Sequence, residues 1–83
     1  MRAIRYSRLA ERALKRMPRP HAERIVDKIE LLASNRAALA NQIKALKGID
    51  AMRLRVGDYR VIFTETLDIL AIVNIGPRGS IYE

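Results

Sequence analysis

Residues 52–63, Met-Arg-Leu-Arg-Val-Gly-Asp-Tyr-Arg-Val-Ile-Phe, place two period-two segments on either side of a Gly-Asp pair. Side chains along a strand point alternately to opposite faces, and Gly-Asp between two such segments is a two-residue hairpin signal. With Gly57 and Asp58 as the loop, Val56 pairs with Tyr59, Arg55 with Arg60, Leu54 with Val61, Arg53 with Ile62, and Met52 with Phe63. One face is then Met52, Leu54, Val56, Tyr59, Val61 and Phe63, which predicts a core surface. The opposite face gathers Arg53, Arg55 and Arg60.

Arg2–Tyr6 suits a short edge strand, and Ser7 suits a helix N-cap. Behind it Leu9, Ala10, Ala13, Leu14 and Met17 recur at helical spacing until Pro18, with Arg8, Arg12, Lys15 and Arg16 on the other side. Pro20 can open a second helix, predicted from His21 to Asn35, whose apolar stripe is Ala22, Ile25, Val26, Ile29, Leu32 and Ala33. The Ala-rich segment 36–42 adds a helical turn, and from Leu46 onward the period changes to two. Ile69–Ile75 is apolar on both parities, which predicts a central strand covered on both faces, followed by a turn at Gly76-Pro77-Arg78-Gly79. The order predicts a single α+β domain, 1–83: β-α-α-β-β-β, with a two-helix hairpin packed on one face of a mostly antiparallel sheet.

Composition narrows the chemistry. The 83 residues contain no cysteine and one histidine, His21, which leaves no thiolate nucleophile, disulfide or two-histidine metal site, so neither metal nor cofactor is expected. Ser7, Ser34 and Ser80 lack a visible His–Asp pair, and His21 reads as an ordinary first-turn residue. The longest apolar run, Ile69–Val73, is far short of the ~18 residues that span a bilayer, and Met1–Tyr6 has no apolar stretch behind its arginines to make a signal peptide. A cytoplasmic protein without membrane contact is expected. The net charge of +7 is uneven: residues 1–24 hold eight Arg/Lys against two Glu. A basic folded surface of this kind attracts polyanions, either nucleic acid or an acidic protein.

The Arg55–Arg60 pair is a local conflict, since like charges directly opposite on neighbouring strands are destabilising. Such arginines either stay solvated and are screened, or grip an anion such as phosphate, whose oxygens match the guanidinium fork. Arg78, in the turn after the last strand, and Tyr82, four residues on, extend the set of candidates.

Leu46-Lys47-Gly48, the run Met52 to Phe63, Ile75-Gly76-Pro77-Arg78 and Ile81-Tyr82 together resemble the RelE/ParE superfamily of toxins from type II toxin–antitoxin modules, most closely the RelE-like branch. Pro77, where such toxins often carry histidine, and Ala51, where some carry a further basic residue, depart from the pattern. The resemblance implies a RelE-like fold and a ribosome-dependent mRNA endonuclease that acts on mRNA in the A site without a cofactor. It implies Arg53 and Arg55, with Lys47, as residues that hold the RNA backbone, and Arg60 and Arg78 as stabilisers of the phosphate under attack. Tyr82 matches the C-terminal tyrosine that serves as base in some members. A cognate antitoxin, acidic and partly disordered until bound, is the implied protein partner. The alternatives are a ParE-like gyrase inhibitor that acts by binding, and a non-catalytic module that only binds its antitoxin.

Overall fold

The computed structural model describes residues 1–81. The chain forms β1 (Ala3–Tyr6), α1 (Arg8–Arg16), α2 (Arg19–Ser34), a 3₁₀ segment (Arg36–Gln42), β2 (Ile43–Ala45), β3 (Met52–Val56), β4 (Tyr59–Glu65) and β5 (Ile69–Pro77). Ser7 caps α1 as expected: the Ala10 N–H donates to Ser7 Oγ at 3.0 Å, and that hydroxyl donates to the Val73 carbonyl at 2.6 Å. Helix α2 begins two residues before the expected His21. The first-turn N–H groups of His21 and Ala22 donate to the Pro18 carbonyl at 3.0 and 3.1 Å, and Pro20, which has no N–H to place, is tolerated there.

The five strands form one sheet in the order β1-β5-β4-β3-β2, with β1 parallel to β5 and every other pair antiparallel. The hairpin register is the expected one at all five pairs from Val56–Tyr59 to Met52–Phe63. Gly57 has a φ of 58° and Asp58 a negative one, the signature of a type II′ turn with glycine at its first central position. Both helices cover one face. Ala10, Ile25, Ile29, Leu32 and Ala33 meet Leu54, Val56, Val61, Phe63, Leu70, Ile72 and Ile75 in a single buried cluster.

Two expectations are corrected. Four strands were expected and the described residues form five, because β2 is only three residues long and follows the 3₁₀ segment directly, leaving too few residues for its period to be read. The stretch Ile69–Ile75 is a central strand, flanked by β1 and β4, but it is not covered on both faces, since Val73 is 40% exposed. Its mixed parity comes from a bulge. Phe63 pairs with Ile72 and Ile62 with Asn74, so Val73 is an extra residue, and the inward set moves from Leu70 and Ile72 to Ile75.

Candidate functional site

The sheet face turned away from the helices carries the expected basic residues. Arg53 and Arg55 project from alternate positions of β3, and Arg60 lies opposite Arg55 on β4. Arg55 is exposed and Arg53 half-buried, whereas Arg60 is only 6% exposed. Beside Arg60 the same face holds Ile62, 2% exposed, and Gly76, the β5 partner of Arg60. A methyl group at Gly76 would lie 3.3 Å from Ile81 Cδ1, so the segment after β5 returns across this face and rests on a bare backbone.

Arg60 is bound to its own turn. Its Nη1 donates to the carbonyls of Gly57 and Tyr59, both at 3.1 Å, while the backbone N–H of Arg78 donates to the intervening Asp58 carbonyl at 2.7 Å. Three consecutive carbonyls of the hairpin tip are thus held by two of the predicted site residues. Part of the like-charge conflict at Arg55–Arg60 is relieved in this way, since a guanidinium that satisfies carbonyls is drawn aside from its neighbour. The Arg78 bond also fixes where the exposed turn after β5 meets the tip.

Lys47 is brought to Arg53. The loop after β2 turns back through Gly48, whose φ is 80°, and closes with the Leu46 N–H donating to the Ala51 carbonyl at 3.1 Å. A cleft of about 330 Å³ results, lined by Lys44, Ala45, Leu46, Lys47 and Arg53. Lys44 was not anticipated. It is the register partner of Arg53 on β2, and only recognition of that three-residue strand reveals that it shares the arginine face.

At the tip, on the side of the helices, His21 packs its ring against Tyr59 with centroids 5.4 Å apart, and the Arg24 guanidinium lies 3.7 Å from where a Gly57 methyl group would be. Tyr6, whose hydroxyl is pushed up by burial and then by the Glu30 carboxylate, lies on β1, at the opposite end of the strand order from β2 and its lysine. It packs against the core on the helix side of the sheet. Tyr82 lies outside the described residues. Among the described residues no cluster of three or more His, Cys, Asp or Glu could hold a metal ion, and no helix is long and apolar enough to cross a membrane. Chemically, the face offers several fixed cations at strand spacing, a surface able to hold successive anionic groups and to stabilise added negative charge on one of them.

The family model described as the ParE toxin of the type II toxin-antitoxin system parDE matches residues 4–82. No curated protein sequence matches the chain. Among solved structures, a chain of the archaeal RelE-RelB complex from Pyrococcus horikoshii OT3 superposes with a TM-score of 0.79 at 24% identity, over 96% of this chain and 98% of that one. A chain of the DinJ-YafQ toxin-antitoxin complex from E. coli gives 0.76 at 19%, over 99% and 98%. A chain of the intact E. coli RelBE toxin-antitoxin complex gives 0.75 at 13%, over 93% and 96%. At these identities the superpositions establish the fold, which is RelE-like.

Proposed function

We propose, from the premise that this chain belongs to the ParE toxin family of type II toxin–antitoxin systems, that it is a ribosome-dependent mRNA endonuclease. The observation that carries this reading is the gathering of Arg53, Arg55 and Arg60 on one sheet face with Arg78 tied to the same hairpin tip. RNA supplies its own nucleophile. When a 2′-OH attacks the adjacent phosphorus, a 2′-O–P bond forms and the bond to the 5′ oxygen breaks, leaving a 2′,3′-cyclic phosphate and a 5′-OH. The protein then has to align the attack, stabilise the extra charge on the phosphorane and move two protons.

Arg55 and Arg78, both exposed, are the guanidiniums assigned to the phosphate. Arg60 serves the same charge and, through its bonds to Gly57 and Tyr59, keeps the tip in shape. Arg53 and Lys47 hold the neighbouring backbone. Tyr82 takes the 2′-OH proton, the role of a general base. A guanidinium is a poor proton donor, so charge stabilisation is the first role of Arg78, and the leaving 5′ oxygen takes its proton from water. Such sparse acid–base equipment suits an enzyme whose substrate is oriented by the ribosome. Its regulator is a cognate antitoxin, in keeping with the toxin–antitoxin complexes that share its fold.

A second reading is inhibition of DNA gyrase by binding, favoured by the ParE character of the matching family model. Primer extension on ribosome-bound mRNA and gyrase supercoiling, assayed with the same preparation, separate the two. New 5′ ends in the A-site codon with intact supercoiling support the endonuclease; blocked supercoiling with intact mRNA supports the second reading.

A further inference from the structure

Strand β5 carries one residue more than its partner β4. Phe63 pairs with Ile72 and Ile62 with Asn74, so Val73 is the unpaired residue of a bulge between them. Counted on without that residue, Ile62 would face Val73, Arg60 would face Ile75, and Asp58 would stand opposite Pro77, which has no N–H to give. With the bulge, Arg60 pairs with Gly76, Tyr59 pairs with Pro77, and the Arg78 N–H reaches the Asp58 carbonyl at 2.7 Å. The inserted residue thus decides which residue β5 delivers to the hairpin tip.

The bulge is held from outside the β4–β5 ladder. Its extra residue leaves the ladder, so the Val73 carbonyl needs another donor. Ser7 supplies it: the hydroxyl donates to that carbonyl at 2.6 Å while accepting from the Ala10 N–H at 3.0 Å, and the Ser7 N–H donates to the Ile72 carbonyl at 2.9 Å. Beyond the bulge, the Ile75 N–H donates to Asn74 Oδ1 at 2.8 Å. One serine therefore joins the end of β1, the first turn of α1 and the bulge in β5. Capping α1 requires only the acceptor half of its hydroxyl; the donor half goes to β5.

We infer that Ser7 is a positioning residue for the reaction, fixing through the Val73 bulge the phase at which β5 presents Arg78 at the hairpin tip. The part of Arg78 in cleavage rests on the nuclease reading above; its placement does not. Burial of Ile75, which is 3% exposed, favours the same phase, because the unbulged count would turn Asn74 toward the core. The hydroxyl adds a fixed point, tying the extra carbonyl to the start of a helix. Precision matters here, since a misplacement of about 1 Å in a catalytic constellation can cost on the order of 10² in rate.

The test separates the two halves of the hydroxyl. At pH 7 Ser7→Asp keeps a capping acceptor but has no proton for Val73, Ser7→Thr keeps both, and Ser7→Ala keeps neither. Amide hydrogen exchange of the full chain is read at Ala10, for the cap, and at Arg78, for the bond to Asp58. Single-turnover cleavage of ribosome-bound mRNA is measured over a range of protein concentrations. Ser7→Asp should leave Ala10 protected and speed exchange at Arg78 on the order of tenfold relative to the β3–β4 amides. Its maximal cleavage rate should fall by about tenfold or more, with the half-saturating concentration within about twofold of wild type. Ser7→Thr should restore both, and Ser7→Ala should lose protection at Ala10 as well as at Arg78. Unchanged exchange at Arg78 in Ser7→Asp would overturn the inference, leaving Ser7 a cap and the bulge to Ile75. So would equally faster exchange across β3 and β4, which is a loss of global stability, or a failure of threonine to rescue. A change confined to the half-saturating concentration would also overturn it, as the added charge acting on RNA binding. Exchange needs no substrate, so a wild type that leaves mRNA intact while Ser7→Asp frees Arg78 refutes the nuclease and keeps the placement of Arg78 by Ser7. A wild type that cuts mRNA, with Arg78 equally protected in Ser7→Asp, does the reverse.

Discussion

Arg55 and Arg60 stand directly opposite one another in the β3–β4 hairpin, yet Arg55 is exposed while Arg60 is 6% exposed and donates to the carbonyls of Gly57 and Tyr59. One member of the pair is open to solvent, and the other braces the turn beside it.

Arg60→Ala should therefore cost stability as well as activity. A hydrogen bond from a charged group contributes roughly 1.5–3 kcal/mol, whereas relief of an opposed like charge returns at most ~1 kcal/mol. A net loss of about 1–2 kcal/mol by urea denaturation is expected. Arg60→Lys should recover little of it, since an ammonium lacks the planar fork. Arg55→Ala should leave stability within ~0.5 kcal/mol, as for other exposed positions, and impair cleavage. Equal stability losses in Arg55→Ala and Arg60→Ala would contradict the division of labour.

Glu65 makes stability depend on pH. It accepts from Arg2, whose Nη2 also donates to the Leu32 carbonyl at 2.8 Å, and from Arg36 Nε at 2.9 Å, so it joins the end of β4 to the start of the chain and the end of α2. Burial pushes its carboxyl up, but the hydrogen bonds and charges of Arg2 and Arg36 outweigh that and hold it below the usual carboxylate range. A lowered value in the folded state means stability that is complete above the ordinary glutamate value of about 4.3 and lost as pH falls through the lowered one. Glu65→Gln should cost roughly 1–3 kcal/mol at pH 7, and the difference from wild type should shrink as the pH is taken below about 4. A difference independent of pH between 7 and 3 would show that the carboxylate charge is not what holds the junction.

The hairpin register, the Ser7 cap and the shared face of Arg53, Arg55 and Arg60 were legible because each depends on local chemistry: a glycine turn, a side-chain oxygen at a helix start, and strict alternation. Residues settled by tertiary packing were not. The Val73 bulge mimics a two-sided apolar strand, β2 is held by its pairing with β3, and the burial of Arg60 depends on where its guanidinium turns. Lys44 was missed with β2, and His21 gave no sign that the start of α2 would bring it to Tyr59. The toxin family was legible in the run from Leu46 to Tyr82, where the matched residues lie close together in sequence.

Association with an antitoxin should depend on salt through its on-rate. The +6 balance of residues 1–24 places Arg8, Arg12, Lys15 and Arg16 on the exposed side of α1, a surface that steers an acidic partner. Raising the ionic strength from 50 to 500 mM should lower the association rate by at least tenfold and change dissociation less. A constant association rate would remove electrostatic steering from the account.

Tyr82→Phe keeps the ring and deletes the hydroxyl. If the phenol is the base, single-turnover cleavage should fall on the order of 10² or more with ribosome binding retained, and the rise of rate with pH seen in the wild type should vanish. Cleavage at the original rate and pH dependence would place the base elsewhere, in ribosomal RNA or a bound water.

In the proposed reaction the substrate's own 2′-OH attacks. The most direct measurement is single-turnover incubation of the chain with ribosomes carrying either an all-ribose mRNA or the same mRNA with one 2′-deoxy sugar at the mapped cleavage position in the A-site codon. Attack by the 2′-OH yields a fragment ending in a 2′,3′-cyclic phosphate from the first and no cleavage at that position in the second. Equal cleavage of both, or of neither, would contradict it.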